Sequence, residues 1–487
     1  MPRVQTTRSY SPVKGPGARR AALADSAQPM VPPAFAEAAV TPTAGDLQTS
    51  SRTTKLTSGH KFTYAALFVF TLVLYVRPSE LTQSPIAASI ALVVGVATLV
   101  FYLPTQLALE GNLSASLPEV KLIALFAILG VVNIPLAMSP ADAWQVFSGV
   151  FIRCVVMFVV VVNVVRNTAR LKGLLFLAIG AAVLLSIGAI NEYRYGLATV
   201  EGYRVSGRGV GIFGNTNDMA LFVVTILPIT VALLLASRRK LAKVLYAALA
   251  AVMLAAIVLS YSRGAFLGLV VVLIFFAMKL GRRNRSAIIA AIAVLTIALL
   301  FLAPGDYGLR LLSIFVPSLD PFQSADTRRG ELFRSIFTAI RHPFFGIGMG
   351  NYMPQMSLRG IETHNAFTQV AAEMGLAALA CYTMFIVSPL RKLGQIVRET
   401  FDERGKSGLC YLALGLEASL IAYMVSSFFL SVAYLWYVYY LVGYAVCLRR
   451  IYEAETGKSV VVETRKARKR REDAEPLPAN SNVGVTA

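Results

Sequence analysis

Charge is scarce in this chain, and acid is scarcer still. Only 15% of the 487 residues are charged, and 26 Asp and Glu stand against 46 Lys and Arg. A water-soluble protein of this length needs a more charged surface to cover its core. Histidine is nearly absent, at three. The four cysteines, Cys154, Cys381, Cys410 and Cys447, fall in or beside apolar runs without metal-ligand spacing. They read as small core residues and say nothing of redox compartment. Closely spaced carboxylates are missing too: the acid-x-acid triplets are Glu453-Ala-Glu455 and Asp473-Ala-Glu475, both near the C-terminus. No metal and no other cofactor is expected, so arginines must neutralise whatever anion the protein handles.

What the chain does have is apolar length. It is 56% hydrophobic, and runs of about 20 apolar residues, enough to cross a bilayer as helix, recur along it. The reading is an all-α, polytopic membrane protein with about twelve transmembrane helices. They are expected at 63–76, 85–102, 120–138, 144–165, 171–190, 218–236, 241–259, 265–279, 287–303, 364–390, 409–429 and 432–448. With both termini cytoplasmic, inner segments hold 34 Lys and Arg and outer segments 11, while Arg153 lies within a span. Basic residues are retained on the cytoplasmic side, so this asymmetry sets the orientation. The formal charge of +20 is then mostly topology, and no nucleic-acid partner is expected. Residues 1–58 are rich in Ala, Pro, Ser and Thr and lack an apolar h-region, which reads as a disordered cytoplasmic tail, with His60 counted as part of it. Residues 59–450 make the membrane domain. Residues 451–487 form a second cytoplasmic tail, whose RKARKRRED from Arg465 is a topology anchor for anionic headgroups.

Two outer segments are long: 191–217, and the large loop 304–363 between spans nine and ten. In the second, Leu332, Phe333, Ile336, Phe337 and Ile340 follow helical spacing and Pro343 stops the helix. That amphipathic helix is expected to lie flat on the outer membrane surface. Long outer loops usually carry function, and arginines gather there: Arg204, Arg208, Arg263, Arg328 and Arg329, with few acids to pair them. The alternative for any single one is an anchor that snorkels from a helix end. The set reads better as an anion site. The glycine-rich SGRGVGIFGNTND, Ser206 to Asp218, contains Gly214, Asn215 and Asn217 and ends where a span begins. Backbone N–H groups of such a turn at a helix N-terminus make a phosphate cradle; the alternative is an ordinary flexible loop. GIGMGN, from Gly346 to Asn351, lacks the strand-to-helix context of a dinucleotide fingerprint. His364 opens the tenth span in ETHNAFTQVAAEMGL, with Thr363 as the expected N-cap. The helix N-terminus and nearby arginines both disfavour imidazolium. His364 should therefore be neutral and able to accept a proton; the alternative is a capping histidine.

Together RGVGIFGNTND, YSRGAFLGL and RHPFFGIGMGNY followed by ETHNAFTQVAAEMGL resemble the O-antigen ligase/polymerase family of bacterial envelope glycosyltransferases. The resemblance covers roughly residues 70–445 and is sharpest over 202–375. It implies a multi-pass enzyme of the bacterial inner membrane that moves a finished glycan from undecaprenyl diphosphate to an acceptor, without metal. It implies that Arg208 and Arg263 hold the lipid diphosphate and that His364 is the catalytic residue. Arg204, Gly214, Asn215, Asn217, Arg328, Arg329 and Asn365 would be their substrate-binding neighbours. The acceptor would be a lipid A–core sugar in a ligase, a second lipid-linked glycan in a polymerase, or a protein. The sequence does not separate these well, and the ligase is preferred. Thr216 departs from the pattern, since the family often has proline there, which puts the turn geometry in question. A reading from another class is a transporter of an anion such as bicarbonate. Transporters place charges and broken helices near the midplane, often in two related halves, whereas this chain gathers arginines at one face.

Arg153 is the one basic residue deep in a span. A lone charge inside a bilayer is costly, so a partner at equal depth is expected. Counted from the outer ends of their spans, Arg153 and Glu373 both lie nine residues down, about 13 Å. The two are expected to be close, directly or through a polar bridge, Glu417 being a rival nearer the cytoplasm.

Overall fold

The computed structural model describes residues 56, 59–76, 85–197, 204–205, 215–281, 324–402 and 408–460, all within the compact unit 53–487. Of 85–88 and 324–325 only the backbone is described. The architecture is helical: α1 (Lys61–Val76), α2 (Pro85–Glu110), α3 (Pro118–Asn133), α4 (Pro140–Val164), α5 (Thr168–Arg194), α6 (Thr216–Ala236), α7 (Lys240–Leu259), α8 (Arg263–Leu280), α9 (Ser324–Arg341), α10 (Ala366–Thr400), α11 (Leu409–Ser426) and α12 (Trp436–Thr456). Among the described residues nine helices, α2–α8, α10 and α11, are long and apolar enough to cross a membrane. The chain is thus a polytopic helical membrane protein. α1 is apolar but only 16 residues long, and α12 carries Arg449 and Arg450 within it, with residues 436–449 buried inside the bundle. The expected span at 287–303 and both expected tails, apart from residues 56 and 451–460, lie outside the described residues.

Local chemistry starts these helices where it should. Pro118 and Pro140 occupy the first turns of α3 and α4, where a missing N–H costs nothing. The side chains of Ser139, Asn167 and Asn215 cap α4, α5 and α6 by accepting from Asp142, Arg170 and Asn217 N–H groups. Thr216 is the first residue of α6. That is the position proline favours, so proline and threonine serve the same turn, and the departure noted above does not disturb it.

Side-chain bonds sort the helix ends into two layers. Away from His364, the Arg166 guanidinium pairs with Glu110 at 2.6 Å and meets Gln106 and His60 at 3.3 Å. His60 is not a tail residue but is buried against Gln106. In the same layer Glu119 on α3, fully buried, binds Lys392 of α10 at 2.6 Å and Arg449 of α12 at 3.0 Å. One carboxylate therefore ties three helices. Removing one member of a buried ion cluster leaves the others uncompensated, at about 3–5 kcal/mol. Glu119→Ala is expected to lose that much stability, read as a lowered Tm of the purified protein. An unchanged Tm would show that solvent, not Glu119, compensates the two cations.

Close backbone approach builds the centre. α6 and α11 pack together where a side chain on Gly415 would collide with Ala232, and small residues at such crossings are the usual device of membrane helices. The four cysteines are free and buried.

Two helices are irregular, and both irregularities shape the opposite layer. α4 contains a π turn, Phe147–Phe151. α10 breaks at Gly375, whose φ of 84° and ψ of 176° lie outside helical space. Irregular backbone at membrane depth survives only where protein satisfies its polar groups. The segment following α9 does this: Ile347 and Gly348 N–H donate to the Ala372 and Glu373 carbonyls, and Leu376 N–H donates to Pro343 O. The Asn133 amide donates to Phe345 O and Glu373 O and accepts from Met349 N–H, locking α3 to the same junction. GIGMGN now has its reason. Gly346, Gly348 and Gly350 all have positive φ, which only glycine adopts freely, so the motif is a clamp on a broken helix.

Candidate active site at the heads of three helices

The site lies at the His364 end, where α6, α8 and α10 begin. α10 starts at Ala366, and its N-cap is Asn365, not Thr363. The Asn365 side chain accepts from Phe367 and Thr368 N–H, a reach suited to Asn at a cap, while Thr363 Oγ1 donates to Asn365 O. Asn365 is buried, with its oxygen committed to the cap. His364 precedes the cap with φ of 52°, and its N–H donates to Ser431 Oγ at 2.9 Å. Positive φ at a non-glycine residue is uncommon. Among the described residues it occurs at His60, Tyr261 and His364, two of them at this site. Burial first, and then the positive charge of Arg328 on α9, lower the His364 pKa to about 4. The imidazole is neutral at pH 7 and can accept a proton.

Arg204 is buried and fixed. Its Nε donates to Ser260 O at 3.2 Å and its Nη2 to Asn217 Oδ1 at 2.9 Å. It ties the heads of α6 and α8 together, and Asn217 is spent on it. Arg263 is the first residue of α8, buried, and follows the strained Ser260–Tyr261 turn. The α11–α12 junction links these two groups. Phe429 packs on Gly264, Ser426 Oγ donates to Gly264 O, and Ser431 holds His364. Asn215 is exposed and caps α6. Arg328 is half-buried beside His364, whereas Arg329 is exposed and lies over the Phe333 ring. Arg208 and Gly214 fall outside the described residues.

The pairing of Arg153 with Glu373 is not found. Glu373 is buried and accepts the Tyr352 N–H at 3.2 Å, whereas Arg153 is exposed, and no ion pair joins them. Equal depth does not fix which face a residue occupies, and the π turn just before Arg153 changes the phase of α4. Glu417, the rival, is held by Lys279 at 2.9 Å in the layer of Glu119.

The sequence also hid a carboxylate pair. Glu362 and Glu373 line one cavity of about 320 Å³ beside His364, together with Gln369, Ser431 and Tyr434. Eleven positions separate the two acids, and no sequence pattern joins them. The break at Gly375 and the clamp of residues 343–348 hold the wall that carries Glu373.

α9 packs its small and polar side inward: Ser335 Oγ donates to Thr368 Oγ1, and Glu331 accepts from Tyr352. Phe333, Phe337 and Ile340 point outward, each more than half exposed, and Arg341 lies 4.3 Å over the Phe337 ring. An apolar outer ridge flanked by arginines suits a bilayer interface.

No curated protein matches the chain. Residues 248–383, from the middle of α7 through the first half of α10 and including Arg263, Arg328, Arg329, His364 and Glu373, match the family model described as O-antigen ligase.

Proposed function

We propose that the protein transfers a preassembled glycan from undecaprenyl diphosphate to an acceptor hydroxyl at the periplasmic face of the bacterial inner membrane. Glycan transfer of the ligase or polymerase type is what an O-antigen ligase domain supports in general. The observation that carries the finer reading is the gathering of a neutral histidine, His364, with Arg328, Arg204 and Arg263 at one layer of the helix ends. The acceptor oxygen attacks the anomeric carbon as His364 takes its proton. The anomeric C–O bond to the diphosphate breaks, and undecaprenyl diphosphate leaves with its charge met by arginines. One displacement inverts the anomeric configuration, and neither metal nor cofactor takes part. Arg263 and Arg208 hold the diphosphate, with the 215–217 turn, Arg329 and Asn365 in support. Arg204 acts by positioning Asn217 and the Ser260 turn. The Lys and Arg distribution supports a reading with His364 outside and both termini in the cytoplasm. A lipid A–core or other glycan acceptor is preferred, which makes the protein a ligase more than a polymerase.

The test is transfer of glycan from a lipid-linked donor by the purified protein in lipid nanodiscs. Arg263→Lys is expected to lose most of that activity although the charge remains, because lysine cannot offer two parallel donors to phosphate oxygens. Full transfer by Arg263→Lys at normal expression removes Arg263 from the donor site. Wild-type protein that transfers nothing but moves an anion across vesicles would replace the whole reading with transport.

A further inference from the structure

The cavity beside His364 is not part of the arginine cluster. Its lining contains two carboxylates, Glu362 and Glu373, and no lysine or arginine. An anion such as the donor diphosphate is therefore disfavoured there. Two residues that line it, 2% and 4% exposed, each carry a buried polar atom without a hydrogen-bond partner: Glu373 Oε2 and the Tyr434 hydroxyl. They lie next to each other, yet neither completes a well-formed bond. Buried polar atoms are nearly always satisfied, and each exception asks for a partner. Val146 and Val150 of α4 give the cavity an apolar wall, and Gln369 and Ser431 add polar atoms that both donate and accept. A volume of about 320 Å³ is at the small end of ligand pockets, enough for one or two sugar rings.

We infer that this cavity is the acceptor subsite, and that it takes an uncharged or amino-bearing pyranose whose hydroxyls bond to Glu373 and Tyr434. A pyranose has one apolar ring face for the valines and a rim of hydroxyls for the polar side. Vicinal hydroxyls donate well to a carboxylate, and the phenol can donate to a ring or hydroxyl oxygen. The rim of the cavity at Thr363 and Ser431 also holds the His364 backbone, so a sugar seated here is next to the proposed base. The inference rests on the glycan-transfer reading for its role but not for its binding chemistry. A hydroxyl-reading site discriminates strongly against ligands that leave its buried groups unpaired. Glu373 and Tyr434 would therefore set acceptor specificity.

The experiment is saturation-transfer NMR on the full-length protein in nanodiscs, with methyl glucoside, methyl galactoside, methyl mannoside, methyl glucosaminide and methyl glucuronide as probes. At least one neutral or amino pyranoside should bind wild type, and the uronide should not. Glu373→Gln and Tyr434→Phe keep shape and should each weaken that binding on the order of tenfold. Val150→Trp, which fills the cavity without touching a polar group, should abolish it. A donor-binding measurement on each variant should be unchanged. No pyranoside binding to a wild type that transfers glycan overturns the subsite alone. Preferred binding of the uronide, or binding unmoved by all three variants, overturns it as well. Pyranoside binding lost in the variants, in a wild type that transfers nothing, supports the subsite and overturns the transferase reading instead.

Discussion

His364→Ala is expected to lower glycan transfer by about two to four orders of magnitude while leaving donor binding intact. The acceptor hydroxyl has a pKa far above neutrality and needs a base as it attacks. Removing the imidazole does not remove the scaffold. The bond to Ser431 comes from the His364 backbone, and the cap of α10 comes from Asn365. Histidine favours positive φ more than alanine does, so the variant loses some stability at φ of 52°, and its yield of folded protein is measured beside its rate. The donor diphosphate rests on arginines and should bind the variant as before, which separates His364 from Arg263. The pH dependence adds a second signature. Burial and Arg328 hold the His364 pKa near 4. A base works when unprotonated, so kcat/KM should stay level from neutrality down and fall only as pH drops through about 4. An ordinary imidazole would put that fall near 6.5. A near-wild-type rate in His364→Ala would move the base to Glu362, two positions away at the mouth of the cavity, and Glu362→Gln in the same assay would show it.

What could be read from the sequence was what depends on neighbours in the chain. The apolar runs became helices, and the spacing of Phe333, Phe337 and Ile340 marked the outer ridge of α9. Motif composition pointed to the O-antigen ligase match over 248–383. Features made by distant contacts were not legible. The Glu119–Lys392–Arg449 cluster joins three helices that nothing in the sequence pairs. Glu362 and Glu373, eleven positions apart, share a cavity beside the break in α10. The direct ion pair expected of Arg153 and Glu373 is absent for a related reason: depth can be counted along a chain, but facing cannot once a π turn or a break intervenes. Even the cap of α10 was misplaced by two residues. Thr363, Asn365 and Thr368 all suit a helix start, and only the bonds actually formed decide among them.

The broken helix also supplies the variant that should damage the fold most, Gly375→Ala. The φ of 84° with ψ near 176° is a conformation that residues with a side chain rarely adopt, at a cost of about 1–3 kcal/mol. Space is the larger obstacle. A methyl group on Gly375 would overlap the Phe344 carbonyl, with its carbon at 2.6 Å and Pro343 O at 2.9 Å. These are backbone atoms and cannot swing aside like a side chain. They belong to the clamp that satisfies the free Ala372 and Glu373 carbonyls and the Leu376 N–H. If the clamp moves, those groups stay unpaired at membrane depth, and each buried orphan costs about 1–3 kcal/mol more. Strain, overlap and orphaned groups together rival the whole stability of a typical domain, about 5–15 kcal/mol. Little folded protein is therefore expected, measured as the yield of a monodisperse peak after solubilisation. Gly360→Ala is the control. That glycine also has positive φ, 62°, but a methyl group there meets nothing within 4 Å. It should cost only about 1 kcal/mol and give normal yield. Equal yields from the two variants would mean that α10 can close its break without the 343–348 clamp, and that the wall carrying Glu373 is held by something else.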